Sequence, residues 1–144
     1  MLRVMLAAAP LVLAATFAVA QTDPIAARKA LMKANGQQAK IGAAIAKGEA
    51  GFDSPKVQAI FATFAEAAEK APALFPDNSK TGGKTEALPA IWRNKADFEA
   101  RLTKFGEDVK AAQTGVKDLG TFKAVWSGLI RKNCTGCHEK YVQK

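Results

Sequence analysis

The chain has 144 residues and a mass of 15.2 kDa, the size of a single domain. At 49% hydrophobic, 24% charged and 8% aromatic, it has the composition of a soluble globular protein able to build a core, and not of a disordered or fibrous one. One histidine and two cysteines exclude any site that needs two imidazoles and any scaffold held by several disulfides, while a formal net charge of +8 makes the surface basic.

Met1-Leu2-Arg3 opens the chain with a positive charge, and the run from Val4 to Ala20 is apolar apart from Thr16 and contains Pro10. It ends in Ala18-Val19-Ala20 before the polar Gln21-Thr22-Asp23. A charged start, an apolar stretch and small residues three and one before a polar junction predict a secretory signal peptide over residues 1–20, cleaved after Ala20. A membrane anchor is the competing reading, but a span wants about 20 apolar residues and tolerates a central proline poorly. Arg3 leaves with the peptide, so 20 of the 21 basic residues remain against 13 acidic ones, a net charge of +7. Residues 21–144 are therefore read as one exported, periplasmic domain with a single histidine, His138, and a single methionine, Met32.

Asp23-Pro24, a cap followed by proline at the first helical position, opens an Ala-, Lys- and Leu-rich stretch that predicts a first helix to about Lys47. Asn35-Gly36 is a turn signal, yet neither flank alternates as a strand would, and the helix is read as continuous. Ser54-Pro55 opens a second helix, with Val57, Ile60, Phe61 and Phe64 on one face and Pro72 at its end. Residues Ala71 to Leu88 hold two prolines and two glycines among small polar residues and read as the one long loop. Pro89 then starts a third helix, whose Ile91, Phe98, Leu102, Phe105 and Val109 form a bundle seam. A fourth helix is predicted from Asp118 to Tyr141, with Phe122, Val125, Trp126 and Leu129 turned inward. Four such helices without strand patterning predict an all-α fold, an antiparallel four-helix bundle.

Cys134-Thr135-Gly136-Cys137-His138 is the C-x-x-C-H pattern of c-type haem attachment. Two thiols three residues apart lie on one side of a helical turn, where each can form a thioether to the same porphyrin while the adjacent imidazole reaches the iron. Three rivals are weaker. A redox-active thiol pair belongs after a strand at a helix N-terminus, and this one falls near the end of a helix. A structural zinc site needs four ligands, of which three are offered here in a poor geometry. A plain surface disulfide explains neither the histidine nor the spacing.

With C-x-x-C-H near the end of four Ala- and Lys-rich helices, the chain resembles the class II c-type cytochromes, which include cytochrome c prime and the cytochrome c-556 type. Arg28-Lys29-Ala30-Leu31-Met32-Lys33 is similar to the family's first-helix motif and Lys47-Gly48-Glu49 to its first turn. Leu74-Phe75-Pro76, Ser79-Lys80-Thr81-Gly82-Gly83 and Ile91-Trp92 are similar to its central loop. The resemblance implies one covalent haem c on Cys134 and Cys137, His138 as the proximal iron ligand, Met32 on the distal side and Arg28 near the haem edge. It also implies a homodimer through the first two helices. The chain departs from the pattern at Val142, where many members carry arginine. Met32 is the only neutral soft donor outside the motif once residues 1–20 are gone, and it either ligates the iron or shields an open one.

The function expected is one-electron transfer by a non-enzymatic haem protein. A five-coordinate haem that takes up nitric oxide or carbon monoxide is the alternative, and a cofactor-free helical interaction module is the third reading. From Lys117 to Lys144 the basic residues Lys117, Lys123, Arg131, Lys132, Lys140 and Lys144 face only Asp118 and Glu139, a net of +4 that would steer an acidic redox partner. Without a clustered basic run or a stacking platform, nucleic acid is not expected as a partner.

Overall fold

Three of the four bundle helices begin on an aspartate whose carboxylate accepts an otherwise orphaned backbone N–H, the arrangement that makes aspartate a favoured helix cap. The computed structural model describes residues 23–143, the side chain of Arg131 excepted. The signal peptide expected over residues 1–20 with its cleavage point, the Arg131 side chain and Lys144 lie outside the described residues. Helix α1 spans Pro24–Lys47 without a break at Asn35-Gly36, with Asp23 accepting from the Ile25 N–H at 2.9 Å. Its end is set by Gly48, whose φ of 81° is the left-handed conformation that glycine adopts without strain.

Helix α2 covers Ser54–Lys70 and is capped by Asp53, one residue upstream of the expected Ser54, because the Asp53 carboxylate accepts the Lys56 N–H at 2.8 Å. The long loop follows, tightened into short 3-10 turns at Ala71–Leu74 and Asp77–Ser79. The third predicted helix is divided. A single turn, α3, runs Ala90–Arg93, Asn94 leaves helical geometry at φ −135°, ψ 52°, and α4 then runs Lys95–Gly115. Helix α5 spans Leu119–Leu129 from a reciprocal cap in which Asp118 accepts from the Thr121 N–H and the Thr121 hydroxyl accepts from the Asp118 N–H. It continues through a π-helical turn, Ile130–Thr135, into α6, Gly136–Tyr141. With α5 and its continuation taken as one, α1, α2, α4 and α5 form the antiparallel four-helix bundle expected of the sequence.

Two apolar clusters hold the bundle. The larger joins Ile45 of α1, Val57, Ile60, Phe61 and Phe64 of α2, Phe105 and Val109 of α4, and Phe122, Trp126 and Leu129 of α5. The smaller, at the end where the loop returns, joins Ala71, Phe75, Ile91, Phe98, Leu102 and Tyr141. Each fully buried side chain such as Phe61 or Ile60 contributes roughly 1.5–3 kcal/mol by leaving water. Trp126 sits over Gly42 of α1 and stacks on Phe64 and Phe122 at ring-centre distances of 6.1 and 5.1 Å.

A Cβ added at Gly42 would stand 2.1 Å from Trp126 Cη2, so the rigid indole must move, whereas one added at Gly128 of α5 meets nothing within 4 Å. Gly42→Ala is therefore expected to cost about 1–3 kcal/mol by overpacking. Gly128→Ala should gain about 1 kcal/mol from helix propensity. Urea unfolding of both variants checks the opposite signs.

Candidate functional site

The cysteine motif is delivered by a change of helical pitch. The inward series Phe122, Trp126 and Leu129 would, in an unbroken α-helix, continue to Asn133 and then to Gly136 or Cys137. The π-helical turn inserts one residue, so the series runs instead from Leu129 to Cys134, Cys137 and Tyr141. Both thiols are half-buried and Tyr141 is 1% exposed, while Asn133 turns aside to donate from Nδ2 to Asp108 Oδ2 of α4 at 3.1 Å. Such turns are rare and recur at functional sites.

Helix α6 is tied down on two sides. Asp97 of α4 accepts on one carboxylate oxygen from Lys140 Nζ at 2.8 Å, Tyr141 Oη at 2.5 Å and Arg101 Nε at 2.8 Å. Those bonds, Lys140's first, hold the Asp97 carboxyl far below the usual carboxylate range, so it is ionised at neutral pH. On the other side the Leu88 N–H donates to the Tyr141 carbonyl at 2.9 Å and the Gln143 N–H to the Glu86 carbonyl at 2.7 Å, an antiparallel bridge between Ala87 and Val142.

The loop is held in turn by Arg28. This side chain is only 4% exposed, and its two terminal nitrogens donate to the Leu74 carbonyl, the Ser79 hydroxyl, the Ser79 carbonyl and the Thr85 hydroxyl at 2.6–3.1 Å. The guanidinium also lies over the Phe75 ring, 4.7 Å from its centre. Burial lowers the Arg28 pKa and Asp23 counters it. Four of its five N–H groups are thus spent on the loop, and one, at Nε, remains.

Between these walls lie two adjoining cavities of about 150 and 180 Å³ that share Met32, Leu102, Cys137 and His138. The first is closed by Asn35, Ala39, Phe64, Phe105 and Cys134. The second is closed by Arg28, Phe75, Ile91, Phe98 and Tyr141. Met32 comes from α1 and His138, exposed at the rim, from α6. All five site residues expected from the sequence, Arg28, Met32, Cys134, Cys137 and His138, line this slot. Asn35, Asp97 and Arg101 were not singled out by sequence. For Asn35 the available signal was its place three residues after Met32 on the same helical face.

The Cys134 and Cys137 sulfurs are both half-buried against the slot. Burial, with Cys137 as neighbour, pushes the Cys134 thiol up to about 11, and burial raises Cys137 against the opposing field of Arg101. A redox-active pair needs a lowered thiol pKa, the reverse of what is seen.

A family model described as cytochrome c' matches residues 23–142. The chain belongs to the cytochrome c' family. Cytochrome c' of Rhodopseudomonas palustris (strain ATCC BAA-98 / CGA009) is 46% identical over 143 residues, covering 99% of this chain and 97% of that protein. Cytochrome c-556 of the same organism is 37% identical over 148 residues, covering 100% and 99%. The solved cytochrome c' from Rhodopseudomonas palustris superposes with a TM-score of 0.82 over 86% of this chain and 98% of that one. The NMR-validated structural model for oxidized R. palustris cytochrome c556 gives 0.78 at 36% identity, again covering 86% and 98%.

In this family the cofactor is haem c, one per chain, attached here through Cys134 and Cys137. The residues fit it. An aromatic and aliphatic slot suits a porphyrin face, both thiols open onto that slot, and the chain's one imidazole stands beside them. The buried Asn35 Oδ1, without a hydrogen-bond partner among the described residues, also lies on this wall.

Proposed function

We propose that this cytochrome c' family member is a periplasmic carrier of single electrons, with His138 as the proximal iron ligand, Met32 as the distal one and Arg28 at the haem edge. The observation that carries the reading is that Met32 and His138, from α1 and α6, line both cavities together. Haem c supplies the one-electron chemistry of its iron. The chain contributes an imidazole, a thioether that favours the reduced state, and apolar walls of Phe64, Phe75, Phe98 and Phe105. In this reading the protein is not an enzyme.

Arg28 would meet a carboxylate of the haem edge through Nε–H, the donor left over from the loop. The acidic redox partner is drawn by Lys117, Lys123 and Lys132, since Lys140 is committed to Asp97 at 2.8 Å. Reversing charge at Lys123 and Lys132 should slow partner association at low salt and leave it unchanged near 1 M, where the Debye length is about 3 Å. Stopped-flow rates against ionic strength test this. A homodimer through α1 and α2 belongs to the same proposal, supported by the exposed Ile41 on α1.

The alternative, an open iron that binds nitric oxide or carbon monoxide, is favoured by one observation: identity to a cytochrome c' is 46% against 37% to a cytochrome c-556. An optical spectrum near neutral pH separates the two. The expected result is a low-spin spectrum with a weak sulfur-to-iron band that Met32→Ala abolishes. A high-spin spectrum indifferent to Met32→Ala, with ready carbon monoxide binding, would establish the gas-binding reading instead.

A further inference from the structure

Helix α1 turns one stripe toward the bundle interior: Arg28, Met32, Asn35, Ala39 and Gly42, at steps of four, three, four and three. Arg28 holds the loop, Met32 lines the slot with His138, Ala39 packs on the larger cluster and Gly42 receives Trp126. Asn35 has no such account. Its Oδ1 is sealed from solvent and unpartnered among the described residues, and its side chain lines the cavity that also holds Met32, Cys134, Cys137 and His138.

A buried acceptor left without a donor costs about 1–3 kcal/mol, which is why such groups are rare. None of the donors on the same wall bonds to it among the described residues. Asn133 Nδ2 is bonded to Asp108 at 3.1 Å, and Arg101 Nε to Asp97 at 2.8 Å. The thiols offer nothing once haem is attached, because each S–H adds across a vinyl group, its sulfur to one carbon and its hydrogen to the other. Phe64, Ala67, Leu102 and Phe105 on the same wall carry no side-chain donor, and the His138 imidazole, also on this wall, is read as the iron's proximal ligand.

We propose that Asn35 marks a binding site for one small hydrogen-bond donor, water in the resting protein, lodged between Asn35 Oδ1 and the haem face that Met32 covers. The acceptor decides the class of ligand. An amide oxygen takes an O–H or N–H, so the site selects a small protic molecule over a diatomic gas that brings no hydrogen. Gly36, exposed and beside Asn35, lines the same cavity and adds no side chain to it. The inference rests on bound haem and is independent of how Met32 is used.

The test compares oxidised holoprotein with Asn35→Leu, which keeps the size and removes the acceptor. Both are first confirmed to carry covalent haem by intact mass. The probe is water itself. A high-resolution crystal structure is expected to show one ordered water within hydrogen-bond distance of Oδ1, missing in Asn35→Leu. The acceleration of water-proton relaxation by ferric iron, which falls steeply with distance, should drop severalfold in the variant. Equal relaxation in the two proteins would overturn the proposal. So would a dry cavity with Asn35→Leu more resistant to urea than the parent, since Oδ1 would then be a plain orphan whose removal stabilises.

Discussion

Cys137→Ala is expected to leave only a small minority of exported chains with covalent haem, whereas Cys134→Ala should retain more. The reason is position: Cys137 lines both cavities and Cys134 only the first, so the Cys137 sulfur is the tether nearest the centre of the slot. Burial raises both thiols, Cys134 to about 11, and at Cys137 the Arg101 cation opposes the rise while the Asp97 carboxylate adds to it. Intact mass before and after acid-acetone extraction reads the covalent fraction directly. Equal loss in the two variants would mean that both tethers act as one unit.

The second large effect is expected at Arg28. Arg28→Leu removes a buried cation and leaves the Leu74 and Ser79 carbonyls short of a donor inside the loop, while the Thr85 hydroxyl keeps only the Ala87 N–H. Hydrogen bonds to charged groups are worth about 1.5–3 kcal/mol each, but they are not additive, and a total near 3 kcal/mol is expected. Arg28→Lys should recover less than half of that, because an ammonium cannot present parallel N–H groups to Ser79 and Thr85 at once. Urea unfolding of the holoprotein measures both. Thr85→Val, which removes the acceptor shared by Arg28 and the Ala87 N–H, should cost about 1 kcal/mol. If the loop latch were irrelevant, Thr85→Val would be silent and all of the Arg28 effect would belong to the haem edge.

These expectations show where sequence was readable. Asp23-Pro24 announced α1 and Ser54-Pro55 announced α2 with its cap one residue late, and the Phe61, Phe64 and Phe122 positions followed from helical spacing alone, because caps and apolar periodicity act locally. The C-x-x-C-H spacing announced the chemistry for the same reason. What escaped depends on contacts distant in sequence. Asn94 interrupts the third predicted helix where the loop, α3 and α6 converge, and no propensity near it marks the break. Arg28 and Ser79 are 51 residues apart, so the burial of both could not be read from either. Asp97 gathers Arg101, one helical turn away, with Lys140 and Tyr141 more than 40 residues on. Asn35 looked like half of a turn signal and proves to be a cavity wall.

The wide turn at Ile130–Thr135 has the character of an insertion that the fold has kept. A helix that carries one residue more than its α register stores a rotation of about 100° in a single place. Here that rotation divides the last bundle helix into two halves with separate duties. Residues up to Leu129 keep the register that packs Trp126 against Gly42, and residues from Cys134 onward take the register that serves the slot. One continuous segment thus serves two faces at once, the bundle core up to Leu129 and the slot from Cys134 onward.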